Sequence, residues 1–317
     1  MTYGKFAPFI HTDRTVSFME ASYLIALLPC VAYAVFMYGI RALVLLLTSA
    51  FLTMFFSIFL ARCNHKAKKI SLNSVSSGVL FALMLPPDTS LVIVVAGSIF
   101  MSLASEMIFG GVAFMPVNNP ATARILVELM WPEHLRGFAE AGGRWFSLKS
   151  LISFGRTSSS VASQLEDYHI GELMTEGYPS YIGLCSVVIM VIGIIYLIHT
   201  KTIRLTAPLS YLSAVIAIRI SLHFRDGIKS NLSFVLVSGI IFVAFFLLTD
   251  RATIPQNRPG GIATGIICGI LTAGAFELTD GILPLCVPVV SVCLISGLIE
   301  YLTSDASERH EIVKEEA

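Results

Sequence analysis

The chain has 317 residues, of which 55% are hydrophobic and 13% charged, with 21 basic and 21 acidic side chains. Soluble domains carry roughly 25% charge, so this composition, with a mean hydropathy of +0.79, excludes an ordinary soluble protein. The zero net charge offers a nucleic acid no electrostatic footing. The segment from Met1 to Glu20 is polar and holds Lys5, His11, Asp13 and Arg14. It is not a signal peptide, and the first apolar span serves as its own insertion signal.

A membrane span needs about 20 apolar residues, with roughly 17 tolerated. In chain order, such runs occupy 22–38, 42–61, 90–109, 182–199, 206–223, 232–249, 261–276 and 282–302. Two shorter apolar pieces, 74–87 and 120–131, are bounded by Pro86-Pro87 and by "FGGVAFMPVNNP". Broken helices of this kind are tolerated at membrane depth where protein or a polar cavity satisfies the freed backbone, and they often frame binding sites. The pattern predicts an all-α polytopic membrane protein of about ten helical segments, some short or broken.

Positive charge sets the orientation. With a cytoplasmic N-terminus (1–21), ten crossings put twelve Lys and Arg inside, "ARCNHKAKK" foremost, against seven outside. The 48-residue loop 132–179 falls on the outer face, and the acidic tail 303–317 inside. An internal echo joins "SGVLF" (77–81) to "SGIIF" (238–242). Each is followed by an apolar run, an aspartate (Asp88, Asp250) and a Gly-Gly pair near Asn and Pro, though the order of these pieces differs. The expectation is two five-segment repeats, 22–131 and 180–302, joined by the outer loop.

Glu106, Arg124, Glu128 and Arg219 fall in or beside predicted spans. Ionisable groups at that depth are costly and by default mark function. Arg124 and Glu128 are four apart on one helical face, placed either to neutralise one another or to hold a ligand. Asn118, Asn119 and the helix start at Pro120 offer donors to a polar ligand, which makes Asn119 and Arg124 candidates for a cofactor or ion site. The six cysteines form no CxxC pair, and buried cysteine is first of all a small hydrophobe. No metal site is expected from them. Cys30, beside Pro29, stays open as a residue facing a cofactor in a neighbouring subunit.

One polar stretch remains, "RTSSSVASQL" (156–165) in the outer loop. From the residues alone it is a solvated Ser-rich linker or a carrier of one special hydroxyl. The resemblance of the whole chain bears on that choice. "IALLP", "YGIRAL", "GVLFALMLPP", "FGG…NNPATAR", "LLTDRATIP" and "GIICGILT" resemble, in this order, the D subunit of the Rnf complex. That complex is an ion-translocating ferredoxin:NAD oxidoreductase of prokaryotic plasma membranes, and the family includes the B subunit of the sodium-pumping NADH:quinone oxidoreductase. The likeness runs from about residue 7 to 302.

The resemblance implies a flavoprotein subunit that relays electrons and is coupled to Na⁺ or H⁺ movement, without turnover alone. It implies FMN joined through its phosphate to a threonine of a Ser-x-Ala-Thr-Pro-Leu motif by a flavin transferase on the outer face. The matching residues here are Ser160, Val161, Ala162, Ser163, Gln164 and Leu165, with Ser163 at the threonine position. Serine keeps the hydroxyl that attacks the diphosphate of FAD and retains the FMN half; glutamine for proline and valine at the second position depart from the motif. A second, non-covalent flavin, riboflavin, is implied between the helices, with Asn119 and Arg124 as its candidates. Other membrane and peripheral subunits, an outer-face flavoprotein among them, are implied partners, and no Rossmann or P-loop signature is present to bind NADH here. Two alternatives stay open: a scaffold subunit without flavin, and a two-repeat channel or carrier for a small solute or ion.

Overall fold

The structure is a computed structural model, and it describes residues 16–63, 72–109, 116–135, 181–184, 186–224, 227–250, 253–255, 257–279 and 281–304. Among these there is no strand. The elements are α1 (Val16–Tyr38), α2 (Ile40–Cys63), α3 (Leu72–Leu83), α4 (Leu91–Leu103) continued by a π-turn (Ala104–Ile108), α5 (Asn119–Met130) and α6 (Pro132–Leu135). The second half holds α7 (Val187–His199), α8 (Thr206–Leu222), α9 (Gly227–Val237), α10 (Ile240–Phe242) continued by a second π-turn (Val243–Leu247), α11 (Arg258–Phe276) and α12 (Leu283–Thr303).

Each apolar run predicted from the sequence is helical, because a lipid-facing backbone must bond to itself. Length decides which of them can cross alone. Five helices are long and apolar enough, and a sixth span results if Ser230–Val237 and Ile240–Leu247 are counted as one bent pair. The protein is therefore a multi-pass membrane protein, with five or six spans by this measure among the described residues, where the sequence predicted about ten. The shortfall comes from helices such as α3, twelve residues and so about 18 Å long against a hydrocarbon core of about 30 Å. Pro86 and Pro87 follow its end and cannot continue the backbone ladder.

The bent pair turns by 56° at Gly239, whose φ of +82° is a conformation other residues rarely adopt. A Cβ there would also stand 2.0 Å from Leu184 Cδ2. "SGIIF" thus marks a break, whereas "SGVLF" lies within the continuous helix α3. The two echoing stretches share sequence without sharing conformation.

In the first half α2 packs on α3 and α4, and in the second α8 packs on α11, which also meets α12. The α8–α11 contact is close because Gly265 has no side chain: a Cβ would lie 2.0 Å from Ser210 Oγ and 2.4 Å from the Ala207 carbonyl. Small residues bring membrane helices together in this way. Across the halves α1 packs on α7 and α5 on α12. Tyr23 of α1 donates its hydroxyl to the Phe246 carbonyl in the second π-turn, and their rings meet edge-on at 6.0 Å. Outward faces remain apolar: Leu47, Phe51, Phe55 and Phe59 on α2 are all at least half exposed, which suits lipid and not water.

Candidate functional site

Within this apolar bundle one region is built of hydroxyls. Ser49, Thr53 and Ser57 recur every fourth residue on α2 and so share a face, which is buried. Ser74 and Ser77 of α3 and Ser98, Ser102 and Ser105 of α4 and its π-turn are buried too. Ser102 Oγ donates to the Thr53 carbonyl at 3.2 Å and to that of Ser98 at 2.9 Å. The π-turn places Glu106 inside, 2% exposed. Ser57 Oγ donates to Glu106 Oε1 at 2.9 Å, and Ser74 Oγ donates to Ser57 Oγ at 3.1 Å. A short hydroxyl chain therefore leads to a buried carboxylate.

Beside that chain lies a small, partly open cavity of about 30 Å³, lined among others by Ser57, Ser74, Ser105, Asn119, Asp250 and Thr253. Two of these come from the second half of the chain. No lysine or arginine stands among the described residues that line it. An acidic side chain at membrane depth costs about 2.5–3.5 kcal/mol on insertion scales, so the buried Glu106, whose partners Ser57 and Ser105 line the cavity, is a strong functional signal among the described residues. The lining suits a small cation with oxygen ligands.

The paired asparagines close this chamber. Asn118 caps α5, its Oδ1 accepting from Ala121 N at 3.3 Å, as asparagine does at helix starts. Its Nδ2 reaches across to the Leu247 carbonyl of the second π-turn at 3.2 Å. Asn119 Nδ2 donates to the Met101 carbonyl of α4 at 3.1 Å, and its Oδ1, buried beside the cavity, makes no hydrogen bond. One dipeptide thus ties the helix start to both halves.

Arg124 is elsewhere. Fully buried, it donates Nε to the Met84 carbonyl at 3.1 Å and pairs Nη1 with Glu128 Oε2 at 2.7 Å. Its guanidinium also lies 5.7 Å from the Tyr181 ring centre. Burial raises the Tyr181 phenol above its ordinary pKa, and the Arg124 charge opposes the shift. The i, i+4 pairing read from the sequence is present, but Asn119 and Arg124 face different surroundings and do not share a site. Nor does the chamber fit a flavin ring. Its described lining is mostly hydroxyl, amide and carboxylate, with no aromatic face on which a flat ring could stack.

Arg219, the fourth intramembrane charge, makes a separate cluster. Its Nη1 lies 3.2 Å from Glu277 Oε1, which His223 Nε2 meets at 2.9 Å, and its guanidinium sits 3.9 Å over the Phe234 ring. Of the cysteines, Cys30, Cys268, Cys286 and Cys293 are buried free thiols and Cys63 is exposed. No group of three metal-ligating side chains occurs among the described residues. Ser160, Ala162 and Ser163 lie outside the described residues. Sequence reading singled out Glu106 but missed the serines around it.

Known proteins share this chain's pattern over most of its length. Residues 4–276 match the family described as NQR2, RnfD, RnfE. The chain is 27% identical over 275 residues to the D subunit of the Na(+)-translocating ferredoxin:NAD(+) oxidoreductase complex of Acetobacterium woodii, covering 84% of this chain and 82% of that one. It is 24% identical over 279 residues to the D subunit of the proton-translocating ferredoxin:NAD(+) oxidoreductase complex of Clostridium ljungdahlii, covering 84% of each. To the D subunit of the ion-translocating oxidoreductase complex of Methanosarcina acetivorans it is 24% identical over 252 residues, 79% of this chain and 77% of the relative.

Proposed function

The chain belongs to the NQR2, RnfD, RnfE family, and on that premise we propose that it is a membrane subunit of an Rnf-type ferredoxin:NAD oxidoreductase that couples electron transfer to ion translocation. What carries the reading inside the structure is the Glu106 chamber, a buried carboxylate with hydroxyl partners and an oxygen-lined space. The subunit sits in a prokaryotic plasma membrane with both termini cytoplasmic and loop 132–179 outside. Its ten helical segments form two repeats. In support, the first helices of the two halves, α1 and α7, pack on each other, and so do the last, α5 and α12, an arrangement compatible with a two-fold relation between repeats.

FMN joined to Ser163 is part of this reading, with Ser160 and Ala162 as recognition residues for the transferase, and so is a riboflavin between the helices. Bound flavin supplies the electron chemistry that side chains lack. The hydroxyl of Ser163 meets the chemical requirement: its oxygen bonds the phosphorus of the FMN half of FAD, its proton is lost, and AMP leaves. The chamber is not the seat of the riboflavin. The Asp250 carboxylate and the hydroxyls of its wall instead bind and partly dehydrate a cation.

The test is flavin fluorescence of this chain on a denaturing gel of the purified complex, with the labelled peptide mapped by mass spectrometry. An FMN adduct at Ser163 that disappears in Ser163→Ala is the expected result. A complex active in ferredoxin:NAD oxidoreduction in which this chain carries no adduct overturns the covalent flavin and leaves a riboflavin-only relay, a scaffold or a transporter.

A further inference from the structure

The hydrogens of the chamber wall are spent on the protein itself. Ser74 Oγ donates to Ser57 Oγ at 3.1 Å, and Ser57 Oγ donates to Glu106 Oε1 at 2.9 Å. Ser105 Oγ donates to the same carboxylate oxygen at 3.5 Å. Ser102 Oγ donates to the Ser98 and Thr53 carbonyls at 2.9 and 3.2 Å, and Thr53 Oγ1 donates to the Ser49 carbonyl at 2.6 Å. Asn119 gives an amide hydrogen to the Met101 carbonyl at 3.1 Å. All six side chains line the cavity, yet each of these hydrogens ends on a protein acceptor.

A hydroxyl carries one hydrogen and two lone pairs, so a hydroxyl whose hydrogen is committed to the wall offers the cavity lone pairs. Asn119 adds another acceptor, its buried Oδ1, which makes no hydrogen bond. Buried polar atoms in that condition are costly and rare. Asp250 is the one carboxylate in the described lining. Lone pairs and a carboxylate attract a cation and repel an anion. Ca²⁺ takes roughly six to eight oxygens, several from carboxylates, and Mg²⁺ keeps several of its waters. Here a single carboxylate stands among neutral oxygens, and the cavity of about 30 Å³ equals the share of about one water molecule in the liquid. That charge and that size suit a small monovalent ion.

Glu106 holds part of the wall in this sense. It is not among the described lining residues, but it accepts from Ser57 and Ser105 directly and, through Ser57, fixes the hydrogen of Ser74. An ionised carboxylate only accepts, so it turns these three hydroxyls the same way. A glutamine in its place carries hydrogens of its own. One that donates to Ser57 reverses the chain, and the hydrogen of Ser74 then turns toward the cavity.

We propose that the chamber is a Na⁺ site with side-chain oxygens of Thr53, Ser74, Ser102, Ser105, Asn119 and Asp250 as its donors, and that Glu106 is its positioning residue. Glu106 acts through the hydroxyls and does not touch the ion. The proposal rests on the reading of the chain as an ion-translocating subunit, and it names the ion that this subunit binds.

The experiment reconstitutes the whole complex in liposomes and follows ²²Na⁺ uptake per NADH formed from reduced ferredoxin, against external Na⁺, with a trapped pH indicator in parallel. Uptake by the wild type is expected to saturate with Na⁺. Glu106→Gln is expected to raise the half-saturating Na⁺ about tenfold or more, the scale of a lost hydrogen bond to a charged group. Below saturation the ratio falls by the same factor, and at saturating Na⁺ it returns to the wild-type value. Ser74→Ala removes one donor oxygen without touching a charge, and it is expected to shift half-saturation the same way by about threefold or more. It decides the matter where Glu106→Gln does not assemble. Unchanged half-saturation in both variants overturns the site. A shift in Ser74→Ala alone, or a Glu106→Gln complex whose ratio stays low at saturating Na⁺, overturns the positioning role of Glu106. A wild-type complex that moves protons and no Na⁺ overturns the site and leaves the ion-translocating reading standing. One that moves neither ion overturns both.

Discussion

Two carboxylates, each near the C-terminal end of a helix, are surrounded in opposite ways. Glu106 ends α4 where it packs on α2, and Glu277 ends α11 where it packs on α8. Both stand at helix C-termini, where the macrodipole disfavours negative charge. Glu277, with its side chain 42% exposed, is answered by Arg219 and His223. Glu106 is sealed in and met by the hydroxyls of Ser57 and Ser105, beside a cavity with no lysine or arginine among its described lining residues. The difference lies in what meets each group among the described residues: an ion pair open to solvent ties α8 to α11 at Glu277, and hydroxyls of α2 and the π-turn meet the buried Glu106.

The buried Arg124–Glu128 pair is a third case, and it sharpens the contrast most. Replacing one partner of a fully buried pair leaves a charge uncompensated, so Arg124→Met is expected to cost about 3–5 kcal/mol, read as loss of thermal stability of the complex. The double variant Arg124→Met/Glu128→Leu is expected to recover much of that loss; no recovery would mean the pair serves something besides itself. Gly265→Leu comes next. It forces α8 from α11 and pulls Arg219 from Glu277, at about 1–3 kcal/mol for overpacking, and a stability unchanged by it would contradict the close approach of these helices. Asn118→Ala removes a helix cap and the tie to Leu247, at about 1 kcal/mol. Glu277→Gln is the smallest, about 0–1 kcal/mol for a pair this open to solvent.

How much of this was legible in the sequence depended on the kind of signal. Helix positions were legible because apolar length and the breaker at Pro86-Pro87 act locally, whereas the break at Gly239 lay inside the run 232–249 that reads as one span. Crossing number does not follow from length and composition, because α3, α7 and α8 are apolar yet shorter than a lone span. The separation of Asn119 from Arg124 was legible in principle: five residues turn a helix by about 140° past one full turn, which puts them on different faces. The chamber was hidden for another reason. Ser57, Ser74, Ser102 and Ser105 are ordinary one by one, and only the packing of α2, α3 and α4 makes them neighbours. The hydroxyl loop around Ser163 gained meaning only from the resemblance of the whole chain.

The most direct test of the account compares the two carboxylates in the reconstituted complex. Ion uptake per NADH is measured for Glu106→Gln and Glu277→Gln, both isosteric and both checked for assembly. The account predicts that Glu106→Gln lowers the ratio by about tenfold or more while Glu277→Gln leaves it within about twofold. Equal ratios in the two variants, or a larger loss in Glu277→Gln, would contradict it.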